Sequence, residues 1–181
     1  YLLNTQPTNI TITVNDAIKK YGEKIPPYAV DVTVNGQPLA STALTMQDLG
    51  LTDITYTSSA TNLSNIGLYY RRASSSVTDL SNPASVELAA LYNYRFVDGT
   101  LTIERMPVTI TPRDTTITYG TAIKGKQIGF NYAYNTANID QADQHDFLDS
   151  LSTTHQSTIS NSVLLIDDNE TSGSLSAADF P

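Results

Sequence analysis

The 181-residue sequence contains no cysteine, and only 15% of its residues are charged. The absence of cysteine excludes the disulfide framework that stabilises many small secreted eukaryotic domains. No apolar run approaches the roughly 20 residues that a transmembrane helix needs, so we expect no membrane insertion. The two histidines, His145 and His155, lie in none of the nucleophile-elbow, zinc-protease or phosphate-loop motifs. The sequence therefore predicts a protein that is not an enzyme.

Positive charge is also scarce, because 10 lysines and arginines stand against 18 acidic residues, which gives a net charge of −8. Nucleic acids and anionic membranes attract clusters of basic side chains, and the only adjacent arginines are Arg71 and Arg72. We therefore expect no nucleic-acid partner. Apolar residues make up 40% of the chain, which is enough for hydrophobic cores. Serine and threonine replace the missing charge, and threonine favours exposed strand positions, so the composition indicates β structure.

An internal repeat divides the chain. The segment ITITVNDAIKKYG, residues 10–22, aligns with VTITPRDTTITYG, residues 108–120, at an offset of 98 residues with six identities in thirteen positions. In both copies apolar residues alternate with threonine, which is typical of a strand with one buried face. Each copy continues with the same structural motif, which is Asp16, Tyr21 and Gly22 in the first copy and Asp114, Tyr119 and Gly120 in the second. We expect both glycines to adopt a positive φ and both tyrosine rings to be buried.

A second strand follows at the same offset in each copy. The two apolar faces align as Val30, Val32 and Val34 in the first copy and Ile128, Phe130 and Tyr132 in the second. A one-residue slip would turn every core side chain to solvent, so matching faces predict the same local fold twice. We expect each second strand to pair with the first strand of its own copy. Val32 and Phe130 should then be buried at equivalent sites.

The rest of the first copy predicts short helices and strands. Thr45 should cap a short helix that Gly50 ends, and Asn82-Pro83 should open the helix ASVELAAL. The segments 53–58 and 67–72 alternate as strands. The strands at 92–97 and 100–104 flank Asp98-Gly99, a dipeptide that favours two-residue hairpin turns, so we expect them to pair with each other.

These patterns divide the chain into a linker at 1–9, a first module at 10–106 and a second module at 107–181. The segment SLSAADFP, residues 174–181, aligns with ALTMQDLG, residues 43–50, at the longer offset of 131. We therefore expect an insert at about 135–173 in the second module, which would be truncated at its C-terminal end. Within the insert we expect a helix at 138–151 and a short buried strand at 163–166. The apolar face of the preceding strands needs a cover, because a lone hairpin is marginally stable in water, and we expect the insert to supply it. The alternatives are that the first module docks against this face or that a neighbouring molecule covers it.

The motifs together resemble those of MBG modules, which are tandem repeats of bacterial cell-surface adhesins. The resemblance is carried by Asp16, Tyr21 and Gly22, by Gly67 and Tyr69, by NYRFVDGTLTI at residues 93–103, and by the second-copy residues Asp114, Tyr119 and Gly120. It covers the first module fully and the second in part. The resemblance implies a long surface protein, in lactic-acid bacteria and others, often accompanied by mucin-binding modules and without catalytic residues. The acidic, Ser/Thr-rich, cysteine-free composition agrees with an extracellular location at the surface or cell wall of Gram-positive bacteria.

The expected fold is mainly β, an α+β arrangement of tandem β-grasp-like modules with short helices. The alternative is an immunoglobulin-like β-sandwich. The first functional hypothesis is a stalk or spacer with weak binding of host glycans or mucin. The alternatives are a direct mucin- or matrix-binding module and an accessory domain of a secreted carbohydrate-active enzyme. The expected partners are host mucin glycans or extracellular matrix, together with neighbouring repeats of the same chain.

Two kinds of candidate site stand out. The aromatic-basic cluster Tyr69, Tyr70, Arg71 and Arg72 could stack on sugars and hold a carboxylate such as that of a sialic acid. The alternative is that Tyr69 belongs to the core and that Tyr70 and Arg72 form an ordinary exposed face. Carboxylates that could hold Ca²⁺ occur at Asp140, Asp143 and Asp146 beside His145 and Asp149, and in the run Asp167, Asp168, Asn169 and Glu170. The alternative for both acidic groups is a solvated surface, and no other cofactor is expected.

Overall fold

In the part of the chain that the structure describes, ten strands in three sheets and two α-helices make up a β-rich α+β protein, as predicted. The structure is a computed structural model that describes residues 6–114, 116, 118–120 and 129–162. The chain divides into a first unit, Tyr1–Arg105, and a second unit, Met106–Pro181. The strands are β1 (Thr8–Val14), β2 (Ala17–Lys20), β3 (Val30–Val34), β4 (Gln37–Pro38), β5 (Thr55–Ser58), β6 (Gly67–Ser74), β7 (Tyr92–Val97), β8 (Gly99–Glu104), β9 (Thr109–Pro112) and β10 (Phe130–Ala133); the helices are α1 (Pro83–Leu91) and α2 (Gln141–Ser162).

The first unit contains two four-stranded sheets, in the orders β4-β3-β1-β7 and β2-β8-β6-β5. β1 runs parallel to β7, and β2 runs parallel to β8. In both pairs each residue lies beside the residue 84 positions further along the chain, as in Thr8 beside Tyr92 and Ala17 beside Leu101. Residues 8–20 and 92–104 thus share one parallel register, and the pairing of this ladder is interrupted at residues 14–16, the kink, where the chain passes from the first sheet to the second. Antiparallel neighbours flank it, β3 beside β1 and β6 beside β8.

This parallel pairing favours one of the two expected architectures. In each mixed sheet one strand of the parallel pair is an edge strand, β7 in the first sheet and β2 in the second. A parallel pairing of the first and last segments of the unit fits the β-grasp-like expectation. An immunoglobulin-like sandwich would consist of two antiparallel sheets packed face to face. The two sheets of the first unit instead continue into each other through the same two chain segments.

The hairpin expected at Asp98-Gly99 is wrong. β7 and β8 do not pair with each other, because the chain continues in one direction through Gly99. A Cβ atom at Gly99 would lie 2.5 Å from the Val14 carbonyl oxygen and 2.6 Å from that of Asn15. The glycine therefore permits a close backbone approach at the kink, and it does not form a turn.

Two hydrophobic clusters stabilise the first unit. The larger is formed by Ile10, Ile12, Val32, Val34, Leu49, Leu51 and Val77, and the smaller by Ala60, Leu101 and Ile103. The buried residues of β1 have even numbers, whereas Lys19, Leu101 and Ile103 beyond the kink have odd numbers. Complete burial of one such aliphatic side chain stabilises the fold by roughly 1.5–3 kcal/mol. The kink thus changes which alternate residues of the ladder enter a core.

The short elements follow the predicted start and stop signals with two corrections. Asn82 caps α1 by accepting from the Ala84 amide, and Pro83 opens the helix. The helix expected at Thr45 is only one turn, in which Thr45 and Asp48 bond each other's backbone amides before Gly50 adopts a φ of 65°. β1 begins at Thr8, two residues before the predicted start of the first module at residue 10.

The second unit repeats the antiparallel strand pair of the first, as predicted. β9 pairs with β10 as β1 pairs with β3, but Ile110 lies beside Tyr132, whereas its counterpart Ile12 lies beside Val32. The second strand is therefore displaced by two residues from the predicted alignment at 98. A shift of two keeps each side chain on the same face, so the alternation that supported the alignment is preserved. Phe130 is half-buried, and its predicted equivalence with Val32 is wrong because Tyr132 takes that position.

The Tyr-Gly motif is shared only in its backbone. Gly22 has a φ of 84° and Gly120 a φ of 83°, which confirms the predicted positive values. Tyr21 is half-buried against the smaller cluster. Tyr119 is fully exposed, so its predicted burial is wrong.

The insert supplies a helix that covers β10. The predicted helix at 138–151 is α2, which extends to Ser162. The Phe147 ring lies 4.6 Å from that of Tyr134, and the His155 ring lies 4.6 Å from that of Phe130. The His155 Nδ1 also forms a 2.8 Å hydrogen bond with the Tyr132 hydroxyl. The helix thus covers the aromatic face of β10, whereas Ile110 of β9 stays 39% exposed; the strand expected at 163–166 lies outside the described residues.

Candidate ligand surface on the first unit

The predicted aromatic-basic cluster lies on β6, and strand alternation divides it between two faces. Tyr69 and Arg71 point toward the interior, and Tyr70 and Arg72 point to solvent. Tyr70 is 64% exposed, and the Arg72 side chain is 62% exposed. Because successive side chains of a strand point to opposite faces, four consecutive residues cannot form one ligand surface.

Arg71 is completely buried, so its assignment to a ligand surface is wrong. Its Nη2 donates to the Pro27 carbonyl at 2.6 Å, to the Pro26 carbonyl at 3.3 Å and to the Asn15 Oδ1 at 3.2 Å. The guanidinium carbon lies 4.2 Å from the centre of the Tyr28 ring. Burial lowers the pKa of the guanidinium, and the nearby Tyr28 and Asp16 oppose this shift. Arg71 therefore connects β6 to segment 26–28 and to the kink through buried hydrogen bonds and a ring contact.

Tyr69 contributes to the core, which agrees with the alternative that assigns this residue to the core and not to a ligand surface. Its ring packs against the smaller hydrophobic cluster. Its hydroxyl donates to the Asn65 carbonyl at 2.9 Å. A partly buried tyrosine ring whose hydroxyl is hydrogen-bonded is a common structural use of this side chain.

The solvent-facing half of the cluster lines a shallow depression of about 150 Å³, the outer pocket, formed by Thr57, Ser58, Ser59, Tyr70 and Arg72. The Arg72 guanidinium carbon lies 5.4 Å from the centre of the Tyr70 ring. The Arg72 Nε donates to the Asp98 carboxylate at 2.9 Å. The outer pocket thus offers an aromatic face, hydroxyl groups and a cation. Asp98 already compensates the positive charge that would attract an acidic sugar, so we expect any binding there to be weak.

A second depression was not predicted from the sequence. This terminal groove of about 550 Å³ lies at the start of β1 and β7, where Asn9 and Asn93 lie side by side and Tyr92 and Tyr94 form part of the wall. Its lining residues are uncharged. Tyr94 donates its hydroxyl proton to the Leu49 carbonyl at 2.7 Å, and burial raises its pKa to about 12. The walls come from segments about 80 residues apart, which is why no local sequence pattern revealed the groove.

The acidic residues of α2 do not converge on a metal site. Within residues 6–114 and the described part of the second unit, no group of three or more His, Cys, Asp or Glu side chains is placed to hold a metal ion. His145 is exposed and lies 3.4 Å from Asp149 and 3.6 Å from Asp146. For Asp140, Asp143 and Asp146 the structure thus gives no support for a shared ion. Asp167, Asp168, Asn169 and Glu170 lie outside the described residues.

The repeated motif residues of the first unit contact the last strand of that unit. The Asp16 Oδ1 accepts from the Thr100 amide at 2.7 Å, immediately beyond the kink. The Tyr21 amide donates to the Glu104 carbonyl at 2.8 Å, at the end of β8. Both contacts cross the parallel ladder, so the motif is structural in the first unit.

No family model, curated protein or solved structure matches the chain. In the described part of the chain, no helix is both long and apolar enough to cross a membrane.

Proposed function

We propose that the chain is a repeat module of an extracellular bacterial surface adhesin and acts as a stalk or spacer without enzymatic activity. The observation that supports this most is the parallel arrangement of the first and last strands of the first unit. Parallel terminal strands place the chain before β1 and the chain after β8 at opposite ends of the ladder. The strand rise of about 3.3 Å per residue separates residues 8 and 20 by up to about 40 Å. Such a module adds length to a tandem array.

The internal repeat also supports a spacer. Two units begin with the same antiparallel strand pair and the same positive-φ glycine. The resemblance to MBG modules also supports a spacer role, and it is the basis for the proposed location at the bacterial surface or cell wall. Repeat proteins extend by adding units, so neighbouring repeats of the same chain are the expected partners.

Weak recognition of host mucin glycans or extracellular matrix is the second part of the proposal. It rests on the outer pocket, where a sugar ring could stack on Tyr70 beside the cationic Arg72. The pocket is small, and Asp98 already pairs with the arginine. Direct adhesion therefore has less support than a spacer role, and an accessory role in a carbohydrate-active enzyme has none beyond this same pocket.

A binding assay on the purified chain tests the proposal. Immobilised mucin, matrix protein and sialylated glycans should retain the chain feebly or not at all, and Tyr70→Ala and Arg72→Ala should change this little. Arg95→Ala is a matched control, because it removes another exposed positive charge on a different strand. Micromolar binding that is lost in Tyr70→Ala or Arg72→Ala and kept in Arg95→Ala would establish a binding module. Retention on a plant or bacterial polysaccharide alone would favour the accessory role.

A further inference from the structure

We infer that the first unit is a mechanical clamp in which the parallel ladder resists tension along the chain by shear. This inference rests on the proposed stalk function, because tension reaches the unit only if the chain is held on both sides. A pull on residue 6 and on residue 105 acts at diagonally opposite ends of the ladder formed by 8–20 and 92–104. The load then acts along the strands and perpendicular to the hydrogen bonds between them.

Shear loads the ladder as a whole. Six residue pairs join β1 to β7 and four join β2 to β8. A pull along the strands must displace these pairs together, whereas a pull at one end of the same ladder breaks them one after another. One hydrogen bond contributes only about 0.5–1.5 kcal/mol to stability, so simultaneous loading provides the resistance.

Three further bonds cross the ladder between the first and last segments. Near its beginning, the Asn93 Nδ2 donates to the Asn9 Oδ1 at 3.1 Å. At the kink, the Thr100 amide donates to Asp16 at 2.7 Å, and at the far end the Tyr21 amide donates to the Glu104 carbonyl at 2.8 Å. The bond at Asp16 has particular weight, because the ladder pairing is interrupted there and the carboxylate bridges the gap. A hydrogen bond to a charged group is also stronger than one between neutral groups.

The ladder is protected from water on its core side. Ile10 and Ile12 of β1 and Leu101 of β8 are completely buried. At the kink the backbone of Gly99 lies so close to the Val14 and Asn15 carbonyls that even a methyl group would not fit. Water therefore cannot replace the bonds of the ladder from the core side until the strands have moved.

A force measurement on the full chain tests the inference. The chain contains no cysteine, so pairs of cysteines can be introduced as attachment points for DNA handles. The pair Gln6→Cys and Arg105→Cys loads the ladder in shear. The pair Gln6→Cys and Leu91→Cys loads the same ladder from one end, because Leu91 directly precedes Tyr92, the partner of Thr8. All three positions are exposed.

The rupture force in shear should exceed that of the one-end geometry several-fold at the same loading rate. Urea unfolding of the two unloaded cysteine variants should coincide, which assigns the difference to geometry. Complete extension between residues 6 and 105 should lengthen the tether by about 300 Å, given about 3.3–3.6 Å per extended residue. Equal rupture forces in the two geometries would overturn the inference.

A substitution at the bridging carboxylate adds an independent test. Asp16→Ala should lower the rupture force in the shear geometry and leave the one-end force nearly unchanged, because the first pairs to break lie far from the kink. Asp31→Ala is the matched control, since Asp31 is exposed on β3, outside the ladder. An unaltered shear force in Asp16→Ala, in a variant that still folds, would exclude the proposed role of the carboxylate. A low rupture force in shear would contradict the clamp and leave the spacer proposal intact. Tight binding to mucin would contradict the spacer proposal and leave the clamp intact.

Discussion

Replacement of Arg71 should separate the contribution of its packing from that of its charge. The side chain is completely buried on β6, and its Nη2 is bonded to three oxygen atoms. Among the described residues, its Nε and Nη1 have no hydrogen-bond partner. Arg71→Ala removes the charge and the volume together, whereas Arg71→Met removes the charge and keeps most of the volume.

The expected magnitudes follow from opposing terms. Two to three charge-assisted bonds contribute about 1.5–3 kcal/mol each, and the contact with the Tyr28 ring adds about 1–2 kcal/mol. Against these stand several kcal/mol for the desolvation of a buried charge, so the electrostatic terms nearly cancel. Loss of packing at a buried site costs about 2–5 kcal/mol and is not offset. We therefore expect Arg71→Ala to destabilise the first unit by about 2–4 kcal/mol and Arg71→Met by less than about 1.5 kcal/mol.

Urea unfolding with far-ultraviolet circular dichroism measures these changes, and hydrogen exchange of the Leu101 and Ile103 amides assigns them to the first unit. The chain has no tryptophan, so indole fluorescence cannot serve as the probe. Equal, large losses in Arg71→Ala and Arg71→Met would refute the reasoning, because the bonds would then outweigh the packing. A stability of Arg71→Ala within about 0.5 kcal/mol of the parent would refute it in the other direction.

Four further predictions concern other parts of the chain. The Ser75 hydroxyl and the Ser76 amide donate to the Asp53 carboxylate and hold its pKa at about 2. The stability that this carboxylate contributes should therefore be present above about pH 4 and lost as the pH falls to 2. Urea unfolding should show Asp53→Asn to be less stable than the parent at pH 6 and equally stable at pH 2. Tyr94→Phe removes the hydrogen bond to the Leu49 carbonyl and should lower the free energy of unfolding by about 1 kcal/mol at pH 7. Because the Tyr94 pKa is raised to about 12, this stabilisation should vanish as the pH rises from 10 to 12. A difference in stability between the parent and Tyr94→Phe that stays constant over this range would contradict the prediction. Gly99→Ala should cost about 1–3 kcal/mol by thermal unfolding, and an unchanged melting temperature would show that the close approach is unimportant. Phe147→Ala should destabilise the second unit by about 3–5 kcal/mol and expose the β10 amides to hydrogen exchange. The control Leu148→Ala, at a position 40% exposed, should have little effect. Equal effects of the two substitutions would contradict the packing of α2 over β10.

Period-two alternation correctly predicted the first strand pair of each unit. The alternation of Ile10, Ile12 and Val14 with threonine placed β1 and its antiparallel partner β3, and the repeat placed β9 and β10. The two-residue displacement in the second unit could not be predicted, because a shift of two residues leaves every side chain on the same face. The Asn82-Pro83 signal placed the start of α1, because the cap and the fixed φ of proline act locally.

Features that depend on distant residues could not be predicted. Asp98-Gly99 has the composition of a hairpin turn, but the close approach of Val14 and Asn15 decides its conformation. The prediction of Arg71 in the ligand cluster rested on the ability of a guanidinium to hold a carboxylate, whereas in the structure it donates to the carbonyls of Pro26 and Pro27. Of the predicted ligand cluster, only Tyr70 and Arg72 remain at the surface, since alternation along β6 turns the others inward.

The parallel ladder of the first unit is the central claim, and a pair of distance measurements tests it most directly. Spin labels at Gln6→Cys and Arg105→Cys should be separated by about 30–45 Å, the length of the ladder. Labels at Gln6→Cys and Leu91→Cys should lie within about 15 Å of each other, because adjacent strands are only about 4.8 Å apart. A short distance for the first pair, or a long one for the second, would show that the terminal strands are not parallel and would contradict both the spacer geometry and the clamp.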